Sequence, residues 1–106
     1  MRSTAVIFGI ASLLLSTSTL ADLDLAKKSG CLACHGVDKK VVGPAWKDVA
    51  AKYKGDAGAK ATLIGKVKKG GKGNWTDVTG GAPMPPYSPR VNDADIEKLV
   101  DFVLSM

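Results

Sequence analysis

The strongest amphipathic pattern lies near the carboxyl end, where Ile96, Leu99, Val100 and Val103 recur at helical spacing and make one apolar face. Asn92 stands where a cap is needed. Asp93 and Asp95 fall at the positive end of the helix dipole, and Val91 can staple onto Ile96. Upstream, after Gly43-Pro44, the positions Trp46, Val49, Ala50 and Tyr53 follow i, i+3, i+4, i+7. Lys47, Lys52 and Lys54 sit on the opposite face, and Gly55 follows as a stop. A third helix, capped by Asp56 and running to about Lys69, has Leu63, Ile64 and Val67 as its apolar positions, the weakest stripe of the set. Asp22 to Gly30, with Leu23, Leu25 and Ala26, predicts a further helix of two turns. Between Gly70 and Pro89 the chain should be irregular. Five of the 12 glycines and four of the five prolines fall there, a density that no helix or central strand tolerates. No segment alternates with period two for long, so the expected fold is all-α, with about four helices.

The amino terminus reads as an address. Arg2 precedes an apolar run from Ala5 to Leu15, then Ser16-Thr17-Ser18-Thr19 and Leu20-Ala21, the layout of a secretory signal cleaved after Ala21. The apolar run is too short for the roughly 20 residues of a membrane-spanning helix. No cysteine follows Ala21 to accept a lipid, so no membrane anchor is expected after cleavage. Residues 1–21 are therefore expected to be a leader and residues 22–106 a single exported domain in the periplasm.

Composition sharpens the picture. The chain has 106 residues, with 45% hydrophobic positions, 6% aromatic ones and a net charge of +5, one unit of which leaves with Arg2. A domain this short buries only about 60% of its unfolded surface and is marginal by itself. A disulfide, a metal or a large prosthetic group is expected to complete the core. Two cysteines cannot supply a dense disulfide framework, and a single histidine excludes any site needing two imidazoles.

The chemistry is concentrated at Cys31-Leu32-Ala33-Cys34-His35. Cys-x-x-Cys-His is the attachment signature of c-type haem. The thiols of Cys31 and Cys34, three positions apart, can each bond one vinyl group of the porphyrin, and the adjacent His35 supplies a nitrogen to the iron. Tethering retains the haem in an exported domain too small to enclose it, and the porphyrin becomes its largest apolar body. Three other readings compete. A Cys31–Cys34 disulfide would leave the small core unexplained. Zinc lacks a fourth strong ligand, and a thioredoxin-like pair should lie near a βαβ pattern. For the sixth iron ligand, Met1 leaves with the leader and Met106 is the chain end. Met84 remains, in Pro83-Met84-Pro85-Pro86, where the prolines restrict the backbone on both sides. His35 and Met84 are thus the expected metal ligands, the His/Met pair known for cytochromes c.

Over nearly all of residues 22–106 the chain resembles the short bacterial class I cytochromes c. The likeness rests on Gly30-Cys31-Leu32-Ala33-Cys34-His35, Val42-Gly43-Pro44-Ala45, Lys47-Asp48-Val49-Ala50-Ala51-Lys52-Tyr53 and Pro83-Met84-Pro85-Pro86. It implies helices wrapped around one covalent haem. It also implies that the Pro44 carbonyl accepts a hydrogen bond from His35 and that Trp75 donates its indole N–H to a haem propionate. Three departures bear on tuning. Lys66 stands where relatives often carry Arg, Tyr87 replaces an Asn three residues past the ligand Met, and the stretch Thr76 to Ala82 is longer than in the shortest members.

The resemblance implies a soluble, monomeric periplasmic electron carrier and no enzyme. Partners of that kind are nitrite reductases, terminal oxidases, cytochrome c peroxidases and quinol-oxidising membrane complexes. A five-coordinate haem sensor or enzyme is the alternative, as is a haem subunit of a larger complex. Lys27, Lys28, Lys39 and Lys40 flank the attachment site, and Lys60, Lys66, Lys68, Lys69 and Lys72 crowd the third helix and its exit. Each alone is a solvated surface charge, but as a set they can steer an acidic redox partner. The modest net charge argues against nucleic acid, and Gly70-Gly71-Lys72-Gly73 lacks the Ser/Thr and the preceding strand of a phosphate loop.

Overall fold

A computed structural model describes residues 15–106, and side chains from Leu20 onward. The leader's positive start and its apolar run up to residue 14 lie outside the described residues. The regular elements of the described chain are all helices. α1 spans Leu15–Lys28, α2 Trp46–Lys52, α3 Ala59–Lys69, α4 Thr76–Thr79 and α5 Asp93–Leu104, with a single 3-10 turn at Cys31–Ala33. Among the described residues there is no strand, only isolated antiparallel bridges at His35–Lys40 and Gly71–Met84. None of the described helices is long and apolar enough to cross a membrane.

α5 is the hub, packing against α1, α2 and α3. The Asn92 side chain accepts from the Asp95 amide at 2.8 Å, a cap worth about 1 kcal/mol. Val91 and Ile96 are both buried, as a staple requires. Ile96, Leu99, Val100 and Phe102 then enter the core, where they meet Ala26 of α1 and Trp46 of α2. Trp46 and Phe102 meet edge to face with centroids 6.1 Å apart. On the outside, the Lys60 ammonium joins α3 to Glu97 and Asp101 of α5.

Three elements differ from the sequence pattern. α1 begins before Asp22 and runs unbroken through Ala21. α3 is capped at Gly58 instead of Asp56, because the Asp56 carboxylate accepts the Gly58 amide at 2.9 Å and closes a turn two residues before the helix. The region from Gly70 to Pro89 is not wholly irregular, since α4 forms a single turn within it. Between the glycines before Trp75 and the left-handed Gly80 (φ 66°), the stretch Trp75 to Thr79 holds neither Gly nor Pro, so nothing prevents one turn from closing.

Candidate haem site

The weak stripe of α3 has a structural reason. Leu63 and Val67 pack against the core only in part. They line a cleft together with Val49 and Tyr53 from the α2 side and Leu99, Val100 and Val103 of α5. The cleft is open to solvent and holds about 1230 Å³ counted to its mouth. Cys31, Cys34, His35, Pro44, Trp75 and Met84, all six residues singled out from the sequence, lie on its walls.

Gly30, left-handed at φ 84°, turns the chain out of α1 and into the 3-10 turn that carries the cysteines. Cys31 is buried and Cys34 half-buried, and no disulfide joins them. Burial pushes the Cys31 thiol above its ordinary ionisation range, so a neutral sulfur suits this wall. A thioether is such a group. His35 donates its Nδ1–H to the Pro44 carbonyl at 2.8 Å, which in the neutral ring leaves the lone pair on Nε2. Its ring stacks on Trp46, with centroids 5.8 Å apart. Gly43 fits against the ring's edge. A Cβ placed there would lie 2.6 Å from His35 Cε1.

Met84 arrives on a separate arm. Gly71 and Met84 exchange two backbone hydrogen bonds of 2.9 Å, and the Tyr87 and Ser88 amides bond to the Val67 and Lys68 carbonyls. Gly70, at φ 72°, passes so close to this arm that a Cβ would collide with the Met84 carbonyl oxygen. The arm is therefore fixed to the end of α3 on both sides of the sulfur. Tyr87 is buried, with the Arg90 guanidinium 4.8 Å from its ring centroid, and burial raises the phenol's pKa. Trp75 is half-buried beside the cleft, and the Lys52 ammonium lies 4.6 Å from its ring centroid.

These walls suit a large apolar ligand tethered through sulfur. The competing zinc reading fails on geometry, since among the described residues no three His, Cys, Asp or Glu side chains converge to hold an ion. Sequence reasoning missed the packing roles of Gly43, Gly70 and Gly71 and the contact of Lys52 with Trp75. Gly43, next to Pro44 and just after the attachment motif, carried the only local hint. The lysine set also changes. Lys28, Lys60 and Lys68 are engaged with Asp24, with Glu97 and Asp101, and with Asp93. Of the nine lysines, Lys66 and Lys72 are the two that line the cleft.

Fold and cleft together define an all-helical domain built around a covalently attached haem. The family model described as cytochrome c matches residues 24–106. The chain is 55% identical over 89 residues to cytochrome c-551 of Allochromatium vinosum, covering 84% of this chain and 89% of that protein. It is 48% identical over 99 residues to cytochrome c-552 of Nitrosomonas europaea, covering 93% and 91%. The crystal structure of that wild-type Nitrosomonas cytochrome c552 superposes with a TM-score of 0.70 at 51% identity, over 78% of this chain and 96% of that one. The chain belongs to the cytochrome c family, as a class I member of the c-551/c-552 type. It carries haem c bonded through Cys31 and Cys34, and it is an electron carrier, not an enzyme.

Proposed function

We propose that the mature chain, released by cleavage after Ala21, is a periplasmic one-electron shuttle whose iron is held by His35 and Met84. The observation that carries the ligation is the pairing of two constrained donors on one cleft. One is an imidazole whose Nδ1 is committed to Pro44 at 2.8 Å. The other is a thioether on an arm bound twice to Gly71. The haem supplies a reversible ferrous/ferric couple, and His with Met favours the ferrous side. The chain's residues do the rest. Pro44 fixes the ring and raises its basicity, the Gly70–Gly71 turn holds the sulfur in place, and Trp75 offers its indole N–H to a propionate. Rigid ligands change little between oxidation states, which favours fast electron transfer.

The partners of this reading are acidic redox proteins of the respiratory chain, from quinol-oxidising complexes to nitrite reductase, cytochrome c peroxidase or a terminal oxidase. Lys66 and Lys72 line the cleft, and Val41 and Val42 are exposed near Cys34, so an apolar contact beside positive charge is available for brief docking. Stopped-flow oxidation of the reduced protein by ferricyanide, an anion, tests the steering. The rate constant should fall several-fold as ionic strength rises from 0.01 to 0.5 M, since the Debye length shrinks from about 30 Å to a few ångströms. Lys72→Glu should flatten that slope. A rate indifferent to salt in both proteins would contradict it.

A further inference from the structure

Lys52 lies in the last turn of α2, where the helix dipole favours a cation. Lys28, Lys47, Lys60 and Lys68 meet carboxylates, but among the described residues Lys52 has no such ion pair. Its ammonium instead donates to the Asn74 carbonyl at 3.3 Å and lies 4.6 Å from the centroid of the Trp75 ring. Both contacts fall on consecutive residues of one loop, far from Lys52 in sequence. That loop needs holding. Gly70, Gly71 and Gly73 all have positive φ, and glycine-rich chain loses the most conformational freedom on being ordered. From the α3 side, the Lys66 stem packs beneath Gly73, where a Cβ would come within 3.2 Å of Lys66 Cε. From the α2 side, Lys52 supplies the hydrogen bond to the loop.

We propose that Lys52 is a positioning residue for Trp75, orienting the indole and strengthening its N–H as a donor toward the haem propionate. The inference rests on the reading of Trp75 given above and extends it to a residue outside the cleft lining. A cation over the ring face draws π-density from the indole, and the N–H at its edge becomes a better donor to an anion. A donor to the ionised carboxylate draws part of its negative charge onto the protein. Less negative charge is then left to stabilise ferric iron, so the Lys52–Trp75 pair holds the reduction potential up.

Two readouts on the matured holoprotein test this. In potentiometric titrations at low salt, Lys52→Met should move the ferric/ferrous equilibrium about two- to fivefold toward ferric, the range expected for an exposed cation–π contact. Lys52→Arg should restore most of it, since guanidinium keeps the charge and stacks on aromatic faces. In a Trp75→Phe background the shift from Lys52→Met should drop below half. By NMR, the Trp75 Nε1–H should exchange faster with solvent in Lys52→Met, while the buried Trp46 is unchanged; this needs only an exposed substitution. An unchanged Trp75 exchange rate overturns the proposal. If Trp75→Phe lowers the potential but Lys52→Met acts equally in both backgrounds, Lys52 is a point charge and the proposal fails while the Trp75 reading stands. If Trp75→Phe leaves the potential unmoved, the Trp75 reading fails and the proposal with it.

Discussion

Met84→Ala should turn the protein from a low-spin carrier into a high-spin haem protein that binds carbon monoxide, with its reduction potential lowered by roughly 0.2 V or more. That drop is a fraction of the roughly 0.8 V span over which axial ligands set haem potentials. The change should act at the iron more than on the fold. The arm bearing Met84 is held through backbone bonds to Gly71 and through the Tyr87 and Ser88 amides to α3, none of which involves the Met84 side chain. Met84 is itself only half-buried, so its truncation opens little protein core. Potentiometry and optical spectra of the matured variant measure both effects. A variant with wild-type potential and spectrum would mean that another group holds the sixth position.

Gly43→Ala should be a damaging single-methyl change on the His35 side of the site. Gly43 has no positive φ, so the backbone itself accepts alanine. The difficulty is steric. The new Cβ would stand 2.6 Å from His35 Cε1, 3.0 Å from Nδ1 and 3.1 Å from Nε2. The ring is restrained from retreating by its stacking on Trp46, which is itself 5% exposed and packed on Phe102. Either the imidazole swings away from the Pro44 carbonyl or the loop moves. Overpacking costs about 1–3 kcal/mol, and a buried carbonyl left without its donor costs a similar amount. For a domain of this size such a loss lowers Tm by about 10 °C or more. The potential should rise as well, since His35 loses the bond that raises its basicity and a less basic ligand stabilises ferric iron less. Thermal melts followed at the haem band, with potentiometry alongside, give the answer. Wild-type values in both would contradict the close packing of Gly43 on the ring.

The parts of the fold legible in the sequence were those whose causes are local. α5 was the most legible element because its cap at Asn92, its staple from Val91 and its stripe all lie within a dozen residues and agree, although Phe102, outside that stripe, is buried and Val103 only partly so. The attachment motif was equally legible, since Cys31, Cys34 and His35 share one turn, and the Pro44 carbonyl fell where the family resemblance implied it would. Legibility was lost where distant segments decide. α3 looked weak because part of its apolar face lines the cleft, where no protein side chain completes the pattern. α4 was hidden by the glycines and prolines on either side of it. The lysines looked like one positive field, yet ion pairs to α1 and α5 neutralise three of them locally. The bridge from Gly71 to Met84 and the contact of Lys52 with Trp75 join residues with no local pattern between them, so only the folded chain brings them to view.

The measurement that bears most directly on His35/Met84 ligation is the absorption spectrum of the matured protein, oxidised and then reduced, with carbon monoxide added to the reduced form. A low-spin spectrum with the weak Met-sulfur-to-ferric-iron band, unchanged by carbon monoxide at neutral pH, is the predicted result. A high-spin spectrum, or ready carbon monoxide binding, would contradict it and put an open iron site in place of the closed one.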